Sequence, residues 1–178
     1  MTDTRQYKLN ENELILTVQK APLLVRSIMF LFAFLFFLLP LTGMILGLAM
    51  GKDLHIGYFI ALFIFGIMGF YLLRIALWNT YGKEIIVFSK NNIDYIADYG
   101  WFKDGKKQKE LNHAIEFGIR QIGYEEDKKG GLVIGIDEPN IFYVTKMPNS
   151  ELEELIDKLN TADNSRLAPA QDLSSKQR

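Results

Sequence analysis

Two stretches without a charged side chain constrain this chain more than any other feature. Residues 27–50 are 24 consecutive positions with no ionisable group, and residues 54–73 are 20 more uncharged positions, bounded by Asp53 and Arg74. At 1.5 Å of rise per residue these runs make helices of about 36 and about 30 Å, against a hydrocarbon layer of about 30 Å. Apolar residues occupy every face of both runs, the pattern of a lipid-facing helix and not of a half-buried amphipathic one. A secretory signal does not fit the first run. Polar or mixed residues including Asp3, Glu11 and Glu13 precede it, the run is too long for a signal core, and no small-residue cleavage site follows.

The sequence therefore predicts a transmembrane helical hairpin over 23–78, with spans at about 24–50 and 54–77. It is preceded by an N-terminal segment, 1–22. Only Gly51, Lys52 and Asp53 separate the runs, with His55 close behind as an interfacial residue, so the helices are expected to be antiparallel neighbours. Lys8, Lys20 and Arg26 precede the first run and Arg74 and Lys83 follow the second, whereas the turn holds Lys52 alone. By the positive-inside rule both termini are expected to be cytoplasmic, in a protein of the cytoplasmic (inner) membrane whose first partner is the lipid bilayer. Trp78 and Tyr81 stand where interfacial aromatic anchors would sit, although Trp78 equally suits packing on the domain that follows. Gly43, Gly47 and Gly51 recur every four residues, a small-residue face for helix packing within the hairpin or, alternatively, for a homo-oligomer seam; Gly57, Ala61, Gly66 and Gly69 give the second helix small residues of its own. Pro40 is expected to kink the first helix. Neither run contains a charged side chain from which to build a proton relay, and two helices cannot enclose a pore.

Outside these runs the chain is ordinary in charge, with 20 basic and 21 acidic residues and a net charge of −1. Such a balance gives no reason to expect a nucleic-acid partner. The absence of Cys removes disulfides, thiolate metal sites and thiol nucleophiles together.

From residue 82 to 160 the pattern changes to short segments rich in β-branched and aromatic residues, predicting a mainly β domain. Strands are expected at 84–89, 93–99, 101–102, 107–111, 115–124, 131–136 and 141–145, about seven in all, enough for two packed sheets or a partly open barrel. Asn91-Asn92, the Asp104-Gly105 hairpin signal and the run Asp137-Glu138-Pro139-Asn140 supply turns, Gly118 and Gly123 are candidate bulges, and 125–129 reads as a charged loop. A further strand is expected before the membrane at 13–18, with a frayed helix entry as the alternative. Ser150 with Glu153 forms a capping box, and Leu152, Leu155, Ile156 and Leu159 an apolar stripe, so a helix should close the domain over the open end of the sheet. Residues 161–178, without periodicity, are expected to be disordered.

Seven short strands followed by an amphipathic C-terminal helix is the order of elements in a pleckstrin-homology (PH)-like domain. With two transmembrane helices leading into it, the chain resembles the bacterial membrane-anchored PH-like proteins. Its layout is similar to that of the photosystem I assembly protein family of cyanobacteria and chloroplasts, most visibly in Leu77-Trp78-Asn79 and in Tyr99-Gly100-Trp101-Phe102-Lys103-Asp104-Gly105-Lys106. The resemblance implies a PH-like barrel or sandwich and a non-catalytic adaptor or assembly module.

Candidate chemistry is sparse. Lys103, Lys106, Lys107 and Lys109 are expected around one hairpin; a solvated tip is the ordinary reading, and engagement of anionic headgroups the functional one, at about 1 kcal/mol per Lys near an anionic leaflet. His113 has no metal-ligand spacing around it. Glu125, Glu126 and Asp127 sit beside Lys128-Lys129 and Gly130-Gly131, the composition of a mobile loop and not of a buried acid–base pair. Phosphate-loop, nucleophile-elbow and zinc motifs are not found, so no catalytic residues, cofactor or metal are expected. The sequence thus predicts a non-enzymatic, membrane-anchored scaffold, assembly factor or accessory subunit that binds a membrane-protein partner or itself, with anionic-lipid sensing through the lysines as the alternative.

Overall fold

The computed structural model describes residues 5–89, 92–110, 116–123, 125–135 and 141–167. The two apolar runs are helices, α1 (Leu23–Ala49) and α2 (Ile56–Tyr81), both long and apolar enough to cross a membrane. α1 ends in a Schellman motif. Gly51 takes φ +78°, which a residue without Cβ adopts at little cost, while Lys52 N–H donates to Gly47 O and Gly51 N–H to Leu48 O, both at 3.0 Å. His55 then caps α2, its Nδ1 accepting from Gly57 N–H at 3.2 Å. α2 continues past its apolar run, and two polar residues there bond back to the preceding turn: Asn79 Nδ2 donates to Ile75 O at 2.9 Å and Thr80 Oγ1 to Ala76 O at 2.7 Å.

The three glycines expected to form one packing face do not act alike. Gly47 is buried, and a Cβ there would lie 2.2 Å from the Tyr58 hydroxyl, so this position does seat α1 against α2. Gly43 has nothing within 4 Å of its would-be Cβ, and neither has Gly51, whose positive φ serves the helix end. On α2 the matching close approach is Gly69, where a Cβ would meet the Phe37 ring at 2.9 Å and Phe36 Cβ at 3.1 Å. Pro40 lies inside α1, and near it Thr42 Oγ1 donates to Leu38 O and Leu39 O.

The remaining elements are β1 (Tyr7–Leu9), β2 (Glu13–Thr17), β3 (Lys83–Phe88), β4 (Asn92–Asp98), β5 (Lys103–Glu110), β6 (Phe117–Gln121), β7 (Lys129–Ile134), β8 (Ile141–Phe142), β9 (Met147–Pro148) and α3 (Asn149–Leu167). One sheet runs β1-β2-β3-β4-β5; the other runs β6-β7-β8, with β9 also on β7. The strand expected at 13–18 is β2, antiparallel to β1 and a neighbour of β3. The helical hairpin is thus the connection between two adjacent strands.

Several local expectations change. Asp104-Gly105 lies inside β5, and the reversal comes earlier, at 99–102, closed by Tyr99 N–H to Phe102 O at 2.9 Å with Gly100 at φ +85°. Gly105 keeps a positive φ of +69° within the strand, its N–H held by Asp104 Oδ1 at 2.7 Å. Gly130 and Gly131 are buried in β7, paired with Gln121 and Arg120 of β6, because a Cβ on Gly130 would stand 2.7 Å from Ile119. Gly118 pairs in register with Val133, without a bulge. The helix expected to end at 160 continues to Leu167, seven positions into the segment read as disordered. Residues 168–178, the turn at 137–140, Asn91 and His113 lie outside the described residues.

The chain divides into two compact units, one formed from Met1–Thr17, Glu84–Tyr95 and Lys107–Arg178, the other from Val18–Lys83 and Ile96–Lys106. In the first, Leu14, Leu16, Ile86, Ile93, Leu132, Ile134 and Met147 are fully or almost fully buried, and α3 packs on β6, β7 and β9 through Leu152, Leu155 and Leu159. The second unit holds both helices together with the β4–β5 turn.

Candidate functional site

In the second unit a set of specific side-chain contacts gathers where the β4–β5 turn meets the helices. Arg74, seven residues before the end of α2, donates from Nε to Tyr99 Oη at 3.0 Å and from Nη1 to Asp104 Oδ2 at 2.6 Å. Its guanidinium lies 4.8 Å from the Tyr99 ring centroid, a cation–π contact. Tyr99 also packs against Trp78 at 5.1 Å and stacks on Phe102 at 4.8 Å. Two further contacts reach deeper into the helices, Phe102 on Phe70 at 6.2 Å and Trp101 on Phe30 at 6.4 Å. Local geometry holds the turn in this form. Asp98 Oδ1 accepts from Gly100 N–H at 2.8 Å, and a Cβ at residue 100 would come within 2.7 Å of Tyr81 Cβ. Of the two aromatic anchors expected from sequence, Trp78 is half-buried against Tyr99, whereas Tyr81 remains exposed.

The four lysines do not surround a hairpin tip, because the tip is aromatic and they follow it along β5. Lys103 and Lys106 are exposed and belong to the unit that contains the helices. Lys107 lies over the Tyr95 ring at 5.9 Å, and Lys109 Nζ reaches the side of Gly135 where a Cβ would be. Asp104-Gly105 has turn chemistry, but the earlier reversal at Gly100 sets all four lysines on one strand, β5, and not on both sides of a tip.

The first unit contains a polar centre that the sequence did not reveal. Glu84 is fully buried, and its carboxylate accepts from Tyr95 Oη at 2.9 Å, Val144 N–H at 3.0 Å and Thr145 N–H at 2.8 Å. Three donors allow a carboxylate to lie out of water. It thereby joins β3 and β4 of the first sheet to the segment between β8 and β9. Tyr143 is also fully buried, 5.5 Å from the Tyr95 ring; burial, and then the nearby Glu84 carboxylate, push its phenol well above the ordinary value. The alternation of Glu84 with buried Ile86 and Phe88 was the one available signal, since it puts an acid on the core face of a strand.

Exposed ion pairs lie elsewhere in the first unit. Asp127, at the end of a 3-10 turn, meets Lys146 at 3.3 Å; Glu154 of α3 meets Lys158 at 2.7 Å and Arg5 at 3.3 Å. Among the described residues no group of three or more His, Asp or Glu could hold a metal ion. No protein-family model matches the chain, and neither a curated protein nor a solved structure matches it.

Proposed function

We propose that this chain is a membrane-anchored binding protein: α1 and α2 span the bilayer as a hairpin, and the β strands with α3 form a PH-like module that engages a partner protein. In this reading the protein is a non-enzymatic scaffold, assembly factor or accessory subunit. The observation that carries the anchoring is exposure. Only 6 % of the most apolar window of each helix is buried, and Leu31, Phe32, Leu46, Phe59, Phe63 and Ile67 are each more than half exposed. Water does not tolerate so continuous an apolar surface on a lone chain, whereas acyl chains match it. A signal sequence or a buried core helix has no need of a second such helix entering at a capped turn and leaving beside the first. Lys8, Lys20, Arg26 and Lys83 stand near the ends opposite the Lys52 turn, which favours cytoplasmic termini.

The PH-like reading rests on element order. After α2 the described residues form seven strands in two sheets and then an amphipathic helix packed on the second sheet, with β1 and β2 extending the first. Binding of a partner by such a module uses a sheet edge or a groove. A lipid-sensing alternative draws on the lysines of β5, of which Lys103, Lys106 and Lys107 are exposed, Lys107 also lying over the Tyr95 ring and Lys109 beside Gly135.

The absence of Cys makes the anchoring directly testable. A single cysteine at Lys52 should react with a membrane-impermeant maleimide on intact cells, and one at Lys128 only after the membrane is opened; equal labelling of both without permeabilisation would refute the arrangement. For the partner, full-length protein extracted from its native membrane in mild detergent should co-purify with one protein in stoichiometric amount. Elution alone, together with salt-sensitive binding to anionic vesicles that is lost in Lys103→Glu/Lys106→Glu, would replace the scaffold reading with lipid sensing.

A further inference from the structure

We infer that the β4–β5 turn is itself a membrane-contact element, with Trp101 and Phe102 seated at the boundary between headgroups and acyl chains of the leaflet that receives the N-terminal end of α1 and the C-terminal end of α2. The inference rests on the anchoring proposed above and adds a lipid contact made by the β region.

Phe30 and Phe70, the helix residues against which Trp101 and Phe102 pack, both lie inside the uncharged runs 27–50 and 54–73. Each is about one helical turn inward from the nearest charge, Arg26 or Arg74, which is roughly 6 Å along the axis. A turn in ring contact with those positions cannot stand clear of the bilayer if the helices span it. Its composition suits the place, since Tyr and Trp are favoured where one end is apolar and the other wet. Trp101 is 62 % exposed although its neighbour Phe30 is apolar, so the face of the indole away from α1 has no protein covering it. In a leaflet, lipid provides that cover.

The cation at the same level is provided for. Arg74 would be costly near hydrocarbon without partners, and the turn brings it both a carboxylate and a phenol, Asp104 at 2.6 Å and Tyr99 at 3.0 Å. The residues just beyond, Lys103 and Lys106, are exposed and suited to the phosphate layer.

Trp78 and Trp101 are the two tryptophans of the chain, which makes depth measurable by fluorescence. Full-length Trp78→Phe is reconstituted into phosphatidylcholine vesicles whose acyl chains carry bromine either near the carbonyl or near the terminal methyl. Emission from Trp101 should be blue-shifted, lose most intensity in the lipid brominated near the carbonyl, lose less in the other, and resist aqueous iodide. Because Trp78→Phe removes a ring packed on Tyr99, the same quantity is obtained independently as wild type minus Trp101→Phe. A reporter for the anchor itself, Phe63→Trp in a Trp78→Phe/Trp101→Phe background, is measured in parallel and should be quenched by bromine near the terminal methyl. If that reporter is quenched while Trp101 is open to iodide and indifferent to bromine, the turn lies in water: this inference is overturned and the anchor stands. If neither responds to bromine, the anchoring reading falls and this inference with it.

Discussion

The helical hairpin and the β region are both rich in apolar side chains and use them in opposite ways. In β4 burial alternates residue by residue, so that Ile93, Tyr95 and Ala97 turn inward while their neighbours stay half-exposed. α2 buries only Gly69, Ala76, Leu77 and Thr80 of its 26 residues and leaves Phe63 69 % exposed. A sheet in water must hide one face, and its sequence records which one. A helix satisfies its own backbone and, when the surroundings are as apolar as its side chains, has nothing to hide; close packing then depends on small residues such as Gly47 and Gly69. Apolar content alone therefore does not define a core, since the solvent on the other side of the side chain decides.

The sharpest break of this comparison is one type of change made in both regions. Leu132→Ala, at a fully buried position, should lower stability by about 2–5 kcal/mol, whereas Phe63→Ala should stay within about 0.5 kcal/mol. Urea titration of the purified full-length chain in mild detergent measures both, and equal losses would mean that the hairpin is packed like a core. A charge at the same exposed site sharpens the point. Phe63→Lys would be harmless in water but should cost about 2.5–3.5 kcal/mol for insertion at mid-span, read as a drop in the alkali-resistant membrane fraction. A full yield in that fraction would contradict a lipid-facing Phe63.

Within the β region the buried carboxylate sets the next effect. Glu84→Ala leaves the Val144 and Thr145 N–H groups and the Tyr95 hydroxyl without their acceptor, at a cost of about 1–3 kcal/mol. Faster amide exchange confined to residues 143–145 and β4 is the expected signature. An unchanged protein would show that water replaces the carboxylate.

The smallest effect concerns the tie between the N-terminal strand and α3. A hydrogen bond from Lys158, helped by the Arg5 charge, holds the Glu154 carboxyl below its ordinary value, and hydrogen bonds to Glu154 and Tyr7 raise Lys158. A lowered carboxyl means that the folded chain binds fewer protons than the unfolded one, so its contribution is present above the ordinary carboxylate range and lost as pH falls through the lowered value. The raised lysine has the opposite sense: its contribution is present below the ordinary lysine value and lost as pH rises through the raised one. Exchange at Gln6 and Tyr7, corrected for its intrinsic pH dependence, should therefore quicken modestly in acid and in strong alkali, and Glu154→Gln should abolish the acid limb. A flat profile would mean that the β1 ladder and the Gln6 N–H to Glu151 bond hold this edge unaided.

Much of the molecule was legible where the determining interactions are local. The helices, the short turn between them, the apolar stripe of α3 and the β character of 13–18 follow from hydropathy and periodicity, which each segment carries by itself. Asp104-Gly105 shows where local reading stops. Its turn propensity is real, and Asp104 does hold the Gly105 N–H, yet Gly100 four residues earlier closes the reversal because Tyr99, Trp101 and Phe102 gain ring contacts with Trp78, Phe30 and Phe70. Lys129-Gly130 misled in the opposite direction, as loop composition that β7 takes up one strand position after another, with Gly130 in close approach to Ile119.

By itself, then, the sequence determined the two long apolar helices, their antiparallel connection and the presence of a strand-rich region closed by a helix, all consequences of side-chain type and spacing along one segment. Contacts made on folding pair β2 with β3 across the whole hairpin, bury Glu84 with three donors and join Arg74 to Asp104 and Tyr99. Each of these joins residues far apart in the chain. No local propensity encodes such a meeting, because its free energy exists only once the intervening chain has been folded back.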